Sequence, residues 1–108
     1  TAMIEKFENV TVLTKGNIYF DGNVQSRTVL FPDGAKKTLG VILPGDYEFG
    51  TADREEMEMT AGTARVKLPG DVDWRAYGPG EKFGIPANCK FKYRCAEVTE
   101  YICSYYKD

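Results

Sequence analysis

Between Arg54 and Thr60, Met57 and Met59 alternate with Glu56 and Glu58, so apolar and charged side chains change places at every step. Methionine and glutamate are good helix formers, yet this repeat of two belongs to a strand, whose successive side chains leave opposite faces. The same alternation recurs at Phe83 and Ile85, at Phe91 and Tyr93 against Lys90, Lys92 and Arg94, and at Tyr101, Cys103 and Tyr105. Upstream, Tyr47, Phe49 and Thr51 share one face, with Glu48 and Gly50 on the other. Turn-forming groups stand between the runs: Lys15-Gly16, Asp21-Gly22, Asp33-Gly34, Pro44-Gly45, Pro69-Gly70 and Gly78-Pro79-Gly80. Short β-rich runs punctuated in this way predict an all-β sandwich or barrel, each strand turning one apolar face to a core and one polar face to water.

A chain of 108 residues has material for one core, and no repeat, low-complexity tract or change of composition marks a domain boundary. Residues 17–108 are assigned to the barrel and residues 1–16 to an N-terminal strand or arm. Ile4 to Thr14 reads either as an edge strand or as an arm laid on a neighbouring subunit. The apolar fraction of 43% and the charged fraction of 28% fit an ordinary folded domain. A net charge of -2 supplies no basic field for a nucleic-acid polymer. With no run of 18 apolar residues and no leader pattern, the expectation is a cytoplasmic protein that makes no membrane contact. Cys89, Cys95 and Cys103 lack CxxC spacing, and no histidine exists to complete a usual zinc set, so reduced thiols are expected.

Glu55 is the acidic residue that this pattern singles out. If the strand of Met57 and Met59 keeps its register back to position 55, the carboxylate points inward and must find donors or titrate above its ordinary range. If the strand starts later, Glu55 sits in a solvated turn. Glu56 and Glu58 point outward in either case. An inward Thr51 hydroxyl needs a partner and can hydrogen-bond a ligand, whereas Cys103 reads as a small apolar filler.

Two segments then resemble the cupin family, whose small barrels carry paired metal-binding motifs. In the first, Phe49 and Thr51 fall where two histidines belong, Glu55 falls on the glutamate and Gly62 on the closing glycine. In the second, Gly80 and Pro86 match, Asn88 replaces a glycine and Phe91 replaces the last histidine. Three of four ligand positions are non-ligands, so the resemblance implies a single cupin (small jelly-roll) barrel that has lost its metal. The ordered set Asn17, Tyr19-Phe20, Gly22, Thr38, Gly40-Val41, Pro44-Gly45, Tyr47, Phe49, Thr51-Ala52, Glu55, Met57, Leu68-Pro69-Gly70, Trp74, Tyr77, Gly80, Phe83, Pro86, Tyr101, Cys103 and Tyr105 resembles the small bacterial pyrimidine/purine nucleoside phosphorylases. It runs from about Asn17 to the C-terminus.

That resemblance implies a homodimer that uses inorganic phosphate as co-substrate, without a further cofactor, to split many purine and pyrimidine nucleosides into free base and ribose 1-phosphate. Such a reaction needs phosphate held in line, charge stabilised on the departing base and the sugar oriented, none of which requires metal or histidine in principle. Glu55 is then the expected catalytic group, binding ribose hydroxyls or, when protonated, donating to the leaving base. Phe49, Thr51, Phe91 and Tyr101 are the expected substrate-binding residues, with the aromatic rings supplying a flat wall. Lys36 and Lys37 are the nearest cations for phosphate in family register; a solvated pair at a strand entry and backbone donors from a glycine-rich turn are the alternatives. Rival readings are a non-catalytic metal-free cupin that binds a sugar or small metabolite, and a metal-dependent cupin oxygenase or isomerase, which the missing histidines disfavour.

Overall fold

The structure, a computed structural model describing residues 3–107, contains eleven strands and one short 3-10 turn, with no α-helix among the described residues. The strands are β1 (Thr11–Val12), β2 (Asn17–Tyr19), β3 (Val24–Leu30), β4 (Lys36–Ile42), β5 (Gly45–Gly50), β6 (Arg54–Ala61), β7 (Ala64–Lys67), β8 (Arg75–Tyr77), β9 (Lys82–Ile85), β10 (Lys90–Cys95) and β11 (Thr99–Tyr106). The 3-10 turn, Phe20–Gly22, joins β2 to β3. All the strand pairs are antiparallel.

One sheet has the order β1-β3-β4-β11-β6-β9, with β2 also on β3; the other has the order β5-β10-β7-β8. From β4 to β11 the chain passes back and forth between the sheets, and only β7 and β8 are successive strands of one sheet. This is the jelly-roll path of a small cupin-like fold. The sheets stay separate hydrogen-bonded sets, so the body is a sandwich rather than one sheet closed on itself. Alternation in a sequence says which face of a strand is apolar; it does not say whether two sheet edges join.

The inward faces supply the core. Met57 and Met59 of β6, Ile42 of β4 and Cys103 of β11 meet Tyr47 of β5, Phe91 and Tyr93 of β10 and Val66 of β7. Burying each large side chain contributes about 1.5–3 kcal/mol. Tyr93 is fully buried, and its hydroxyl lies 2.6 Å from the Thr99 hydroxyl, so its polar end is satisfied inside the sandwich.

The outward face of the larger sheet carries the N-terminal segment. Phe7 packs edge-on against Phe31 at 5.1 Å, and β1 pairs with β3 of the same chain. The Lys37 ammonium stands 5.6 and 5.7 Å from the Phe7 and Phe31 ring centres. At the link from β6 to β7, Gly62 has φ +71, and a Cβ there would lie 2.4 Å from the Val98 carbonyl oxygen. Only glycine fits both demands, because the left-handed conformation and the close backbone approach each exclude a side chain.

Candidate active site

A cavity of about 430 Å³ lies between the sheets. Strand parity builds its walls. Lys36 opens β4, Glu55 is the second residue of β6, and Cys103 and Tyr105 are inward positions of β11; together they make a polar wall. Phe49 of β5 and Phe91 of β10 are paired across their strands with ring centres 5.5 Å apart, and with Met57 and Tyr101 they form an apolar wall. Tyr19 and Phe20 stand at the rim.

Glu55 pairs with Tyr105 on one side and Ile85 on the other, so β6 already holds its register there and the carboxylate enters the cavity. The Cys103 thiol donates to Glu55 Oε1 at 3.3 Å. Burial pushes the Glu55 carboxyl above the usual glutamate value; the thiol hydrogen bond opposes this, the Asp53 charge adds to it, and Lys36 opposes it. The Cys103 thiol is itself pushed up by burial and then by the Glu55 charge, which keeps its proton in place for donation. The Tyr105 hydroxyl, also raised by burial, lies 3.0 Å from the Thr38 hydroxyl, and the Lys36 ammonium sits 4.4 Å from the Tyr105 ring centre.

Tyr101 owes its seat to Gly40 on the adjacent strand. A Cβ at position 40 would come within 2.2–2.4 Å of the Tyr101 ring and hydroxyl, so the ring occupies the space that a side chain would fill. At the rim, Phe20, Asp21 and Gly22 have φ values of 52, 55 and 92, three left-handed residues in succession. For a residue with a Cβ this conformation costs roughly 1–2 kcal/mol. The Asn23 N–H donates to the Phe20 carbonyl at 3.0 Å and the Gln25 side-chain amide to the Gly22 carbonyl at 3.0 Å, which fixes the turn. The Phe20 ring meets Tyr47 and Phe49 edge-on at 5.2 and 5.6 Å.

Among the expected site residues, Glu55, Phe49, Phe91, Tyr101 and Lys36 line this cavity; Lys37 and Thr51 do not. Lys37 follows Lys36 on β4, and alternation sends it to the outward face against Phe7. Thr51 lies just beyond the end of β5, where face parity no longer applies. Its hydroxyl donates to the Pro86 carbonyl at 2.7 Å and its N–H to the Cys89 carbonyl at 2.9 Å, joining two loops. Tyr19, Phe20 and Tyr105 were not singled out as site residues by the sequence, and Cys103 read as filler. The inward parity of Tyr101, Cys103 and Tyr105 is the signal that groups β11 with the site.

The cupin ligand positions hold no metal-donor set. Phe49 and Phe91 offer only ring carbons and the Thr51 hydroxyl is committed to Pro86, which leaves a single carboxylate. Among the described residues, no group of three or more His, Cys, Asp or Glu side chains is placed to hold an ion. The cavity can therefore take a ligand with hydroxyl or anionic groups near Lys36 and Glu55 and a flat apolar part near the aromatic rings.

Residues 14–105 match the family model described as pyrimidine/purine nucleoside phosphorylase. A protein of that name from Hydrogenovibrio crunogenus is 55% identical over 102 residues, 94% of this chain and 98% of the relative. Another from a Sulfurovum species is 56% identical over 102 residues, 94% of this chain and 99% of the relative. Among solved structures, a protein of unknown function from Acinetobacter superposes with TM-score 0.91 at 42% identity, covering 94% of this chain and 98% of that one. The EutQ protein of Clostridium difficile, at TM-score 0.63 and 16% identity over 76% of this chain and 67% of that one, shares the fold alone.

Proposed function

The chain belongs to the pyrimidine/purine nucleoside phosphorylase family, and on that premise we propose that the cavity between the sheets binds a nucleoside beside inorganic phosphate and catalyses phosphorolysis. The observation that carries this assignment is the half-buried Glu55 carboxyl, aimed into an aromatic-walled cavity that also holds the Lys36 ammonium. In the reaction, a phosphate oxygen forms a bond to ribose C1′ as the C1′–N bond breaks. The electron pair of that bond goes to the base nitrogen, which takes up a proton. Glu55, whose proton is held more tightly by burial, donates to the leaving base or orients the ribose hydroxyls. Lys36 draws phosphate to the polar wall, and a protonated Glu55 reduces the repulsion that two anions would otherwise feel. Phe49, Phe91 and Tyr101 form a wall that excludes water from the developing charge.

Incubation with phosphate and a set of purine and pyrimidine nucleosides is expected to release free base and ribose 1-phosphate in equal amounts. Release that does not depend on phosphate, or no release from any nucleoside, overturns the assignment. A broad range of bases is expected, because stacking on aromatic rings does not read the hydrogen-bonding edge.

Replacing Lys36 with Gln is expected to raise KM for phosphate about tenfold, the worth of one charge-assisted contact, while KM for the nucleoside moves much less. Initial rates over a phosphate series measure both, and an unchanged phosphate KM would move the anion elsewhere.

The working protein is proposed to be a cytoplasmic homodimer. Among the described residues there is no helix long and apolar enough to cross a membrane. Leu39 and Val41 on the outward face of β4 are 41% and 36% exposed, adjacent apolar surface that a second copy can cover. Light scattering at micromolar concentration is expected to give twice the 12.1 kDa chain mass, and a monomer mass refutes the dimer.

A further inference from the structure

We propose that Phe20 is the residue that contacts the base and sets which nucleosides the cavity accepts. The inference rests on the phosphorolysis reading of the same cavity and deepens it. Phenylalanine is among the residues least suited to a left-handed backbone, yet Phe20 adopts φ 52 with Asp21 at φ 55 behind it. Core packing does not explain that conformation, since 45% of the residue remains exposed. Three hydrogen bonds nevertheless hold it. Asn23 N–H and the Gln25 amide bond the turn itself, and Leu43 N–H donates to the Asn23 carbonyl at 2.9 Å, tying the turn to the end of β4. Backbone strain kept by surrounding contacts and not repaid by burial marks a side chain positioned for a ligand.

The register shows which part of the ligand it meets. Lys36 and Glu55 both flank Tyr105, which gathers these two charged groups at one end of the cavity, while Glu48, the other charged lining residue, stands on β5 next to Phe49. Val24 and Ile42 also line the cavity, and they pair in line with Tyr19 beside the Phe20 turn, at the other end. A nucleoside whose ribose and phosphate lie by Lys36 and Glu55 therefore turns its base toward Phe20 and Phe49. A ring standing edge-on to Tyr47 and Phe49 closes a pocket with aromatic sides, which takes any flat base and favours the larger ones.

Phe20→Asn removes the ring and keeps a residue that tolerates the left-handed turn, so its melting temperature is expected to match or exceed the parent's. KM for nucleosides is expected to rise about tenfold, more for a purine than for a pyrimidine, while kcat falls less than KM rises and the phosphate KM stays within about twofold. Phe20→Tyr, which keeps a stackable ring, should recover most of the loss. Phe20→Leu, apolar but without a ring face, should not. An unchanged nucleoside KM in folded Phe20→Asn, or equal losses in Phe20→Tyr and Phe20→Leu, overturns the proposal. Calorimetric binding of adenosine and uridine without phosphate separates it from the reaction assignment. If the parent protein binds them without turnover and Phe20→Asn binds at least tenfold more weakly, the base contact stands while phosphorolysis falls. Equal affinity in parent and variant refutes the contact whatever the turnover.

Discussion

Glu55→Gln is expected to lower kcat by about 10²–10³-fold, the scale of a lost proton donor or acceptor at the reacting bond, while raising the melting temperature at neutral pH. The two effects have one origin. Burial holds the Glu55 carboxyl above the usual glutamate value, so the folded protein grips that proton more tightly than the unfolded chain does. Between the ordinary value and the raised one, folding therefore takes up a proton, and stability falls as pH rises through that window. The neutral carboxyl's contribution is complete below the ordinary glutamate value and lost once the pH passes the raised one. Gln cannot ionise, so the variant lacks this downward slope and is more stable at neutral pH than the parent. If Glu55 acts as an acid, kcat/KM of the parent also declines as pH rises past the same raised value, and the variant loses that limb. Melting curves and rate profiles from pH 4 to 9 measure both. A variant that keeps full activity removes Glu55 from the chemistry, and one that is less stable at neutral pH contradicts the burial argument.

Gly62→Ala is the substitution expected to cost the most stability. An added methyl group must take up a left-handed backbone at φ +71 and would also stand 2.4 Å from the Val98 carbonyl oxygen and 3.0 Å from a Thr99 methyl carbon. The obstacle is backbone, so no rotamer change clears it. The conformational part costs about 1 kcal/mol and the forced displacement about 1–3 kcal/mol, a sum of roughly 2–4 kcal/mol. For a domain of this size that lowers the melting temperature by about 10–20 °C. Gly70 separates the two contributions. It has φ +87 with nothing within 4 Å of the added position, so Gly70→Ala should cost only the conformational part. Equal losses at the two sites would show that the approach of Gly62 to Val98 carries no weight.

The alternation of Met57 and Met59 with Glu56 and Glu58 was enough to read β6, because a half-buried strand leaves its period in the residues themselves; whether the register reached back to Glu55 it left open, and the pairing of Glu55 with Tyr105 and Ile85 decides it. Phe91 and Tyr93 were legible for the same reason. What the sequence could not show was contact between strands distant in the chain. The thiol of Cys103 reaches Glu55 only through the register of β11 on β6, so an apparent filler is a hydrogen-bond donor. Thr51 failed a parity argument because the chain leaves β5 at Gly50. Phe20 was hidden more deeply. Its residue type favours extended backbone, and the left-handed turn that presents it is set by hydrogen bonds from Asn23 and Gln25, not by its own preference.

The position of β11 has a bearing on how the chain comes to be folded in a cell. Thr99–Tyr106 is made after the other ten strands of the described residues, yet it lies between β4 and β6 and joins them into one sheet. Until that segment emerges, β4 and β6 have unpaired edges, and the carboxyl of Glu55 has neither thiol nor tyrosine beside it. Most of the pairing is between distant residues, which makes folding slow compared with that of a helical bundle. Native structure therefore waits for β11 to be made, and a nascent chain halted before Thr99 presents two sticky strands to its neighbours.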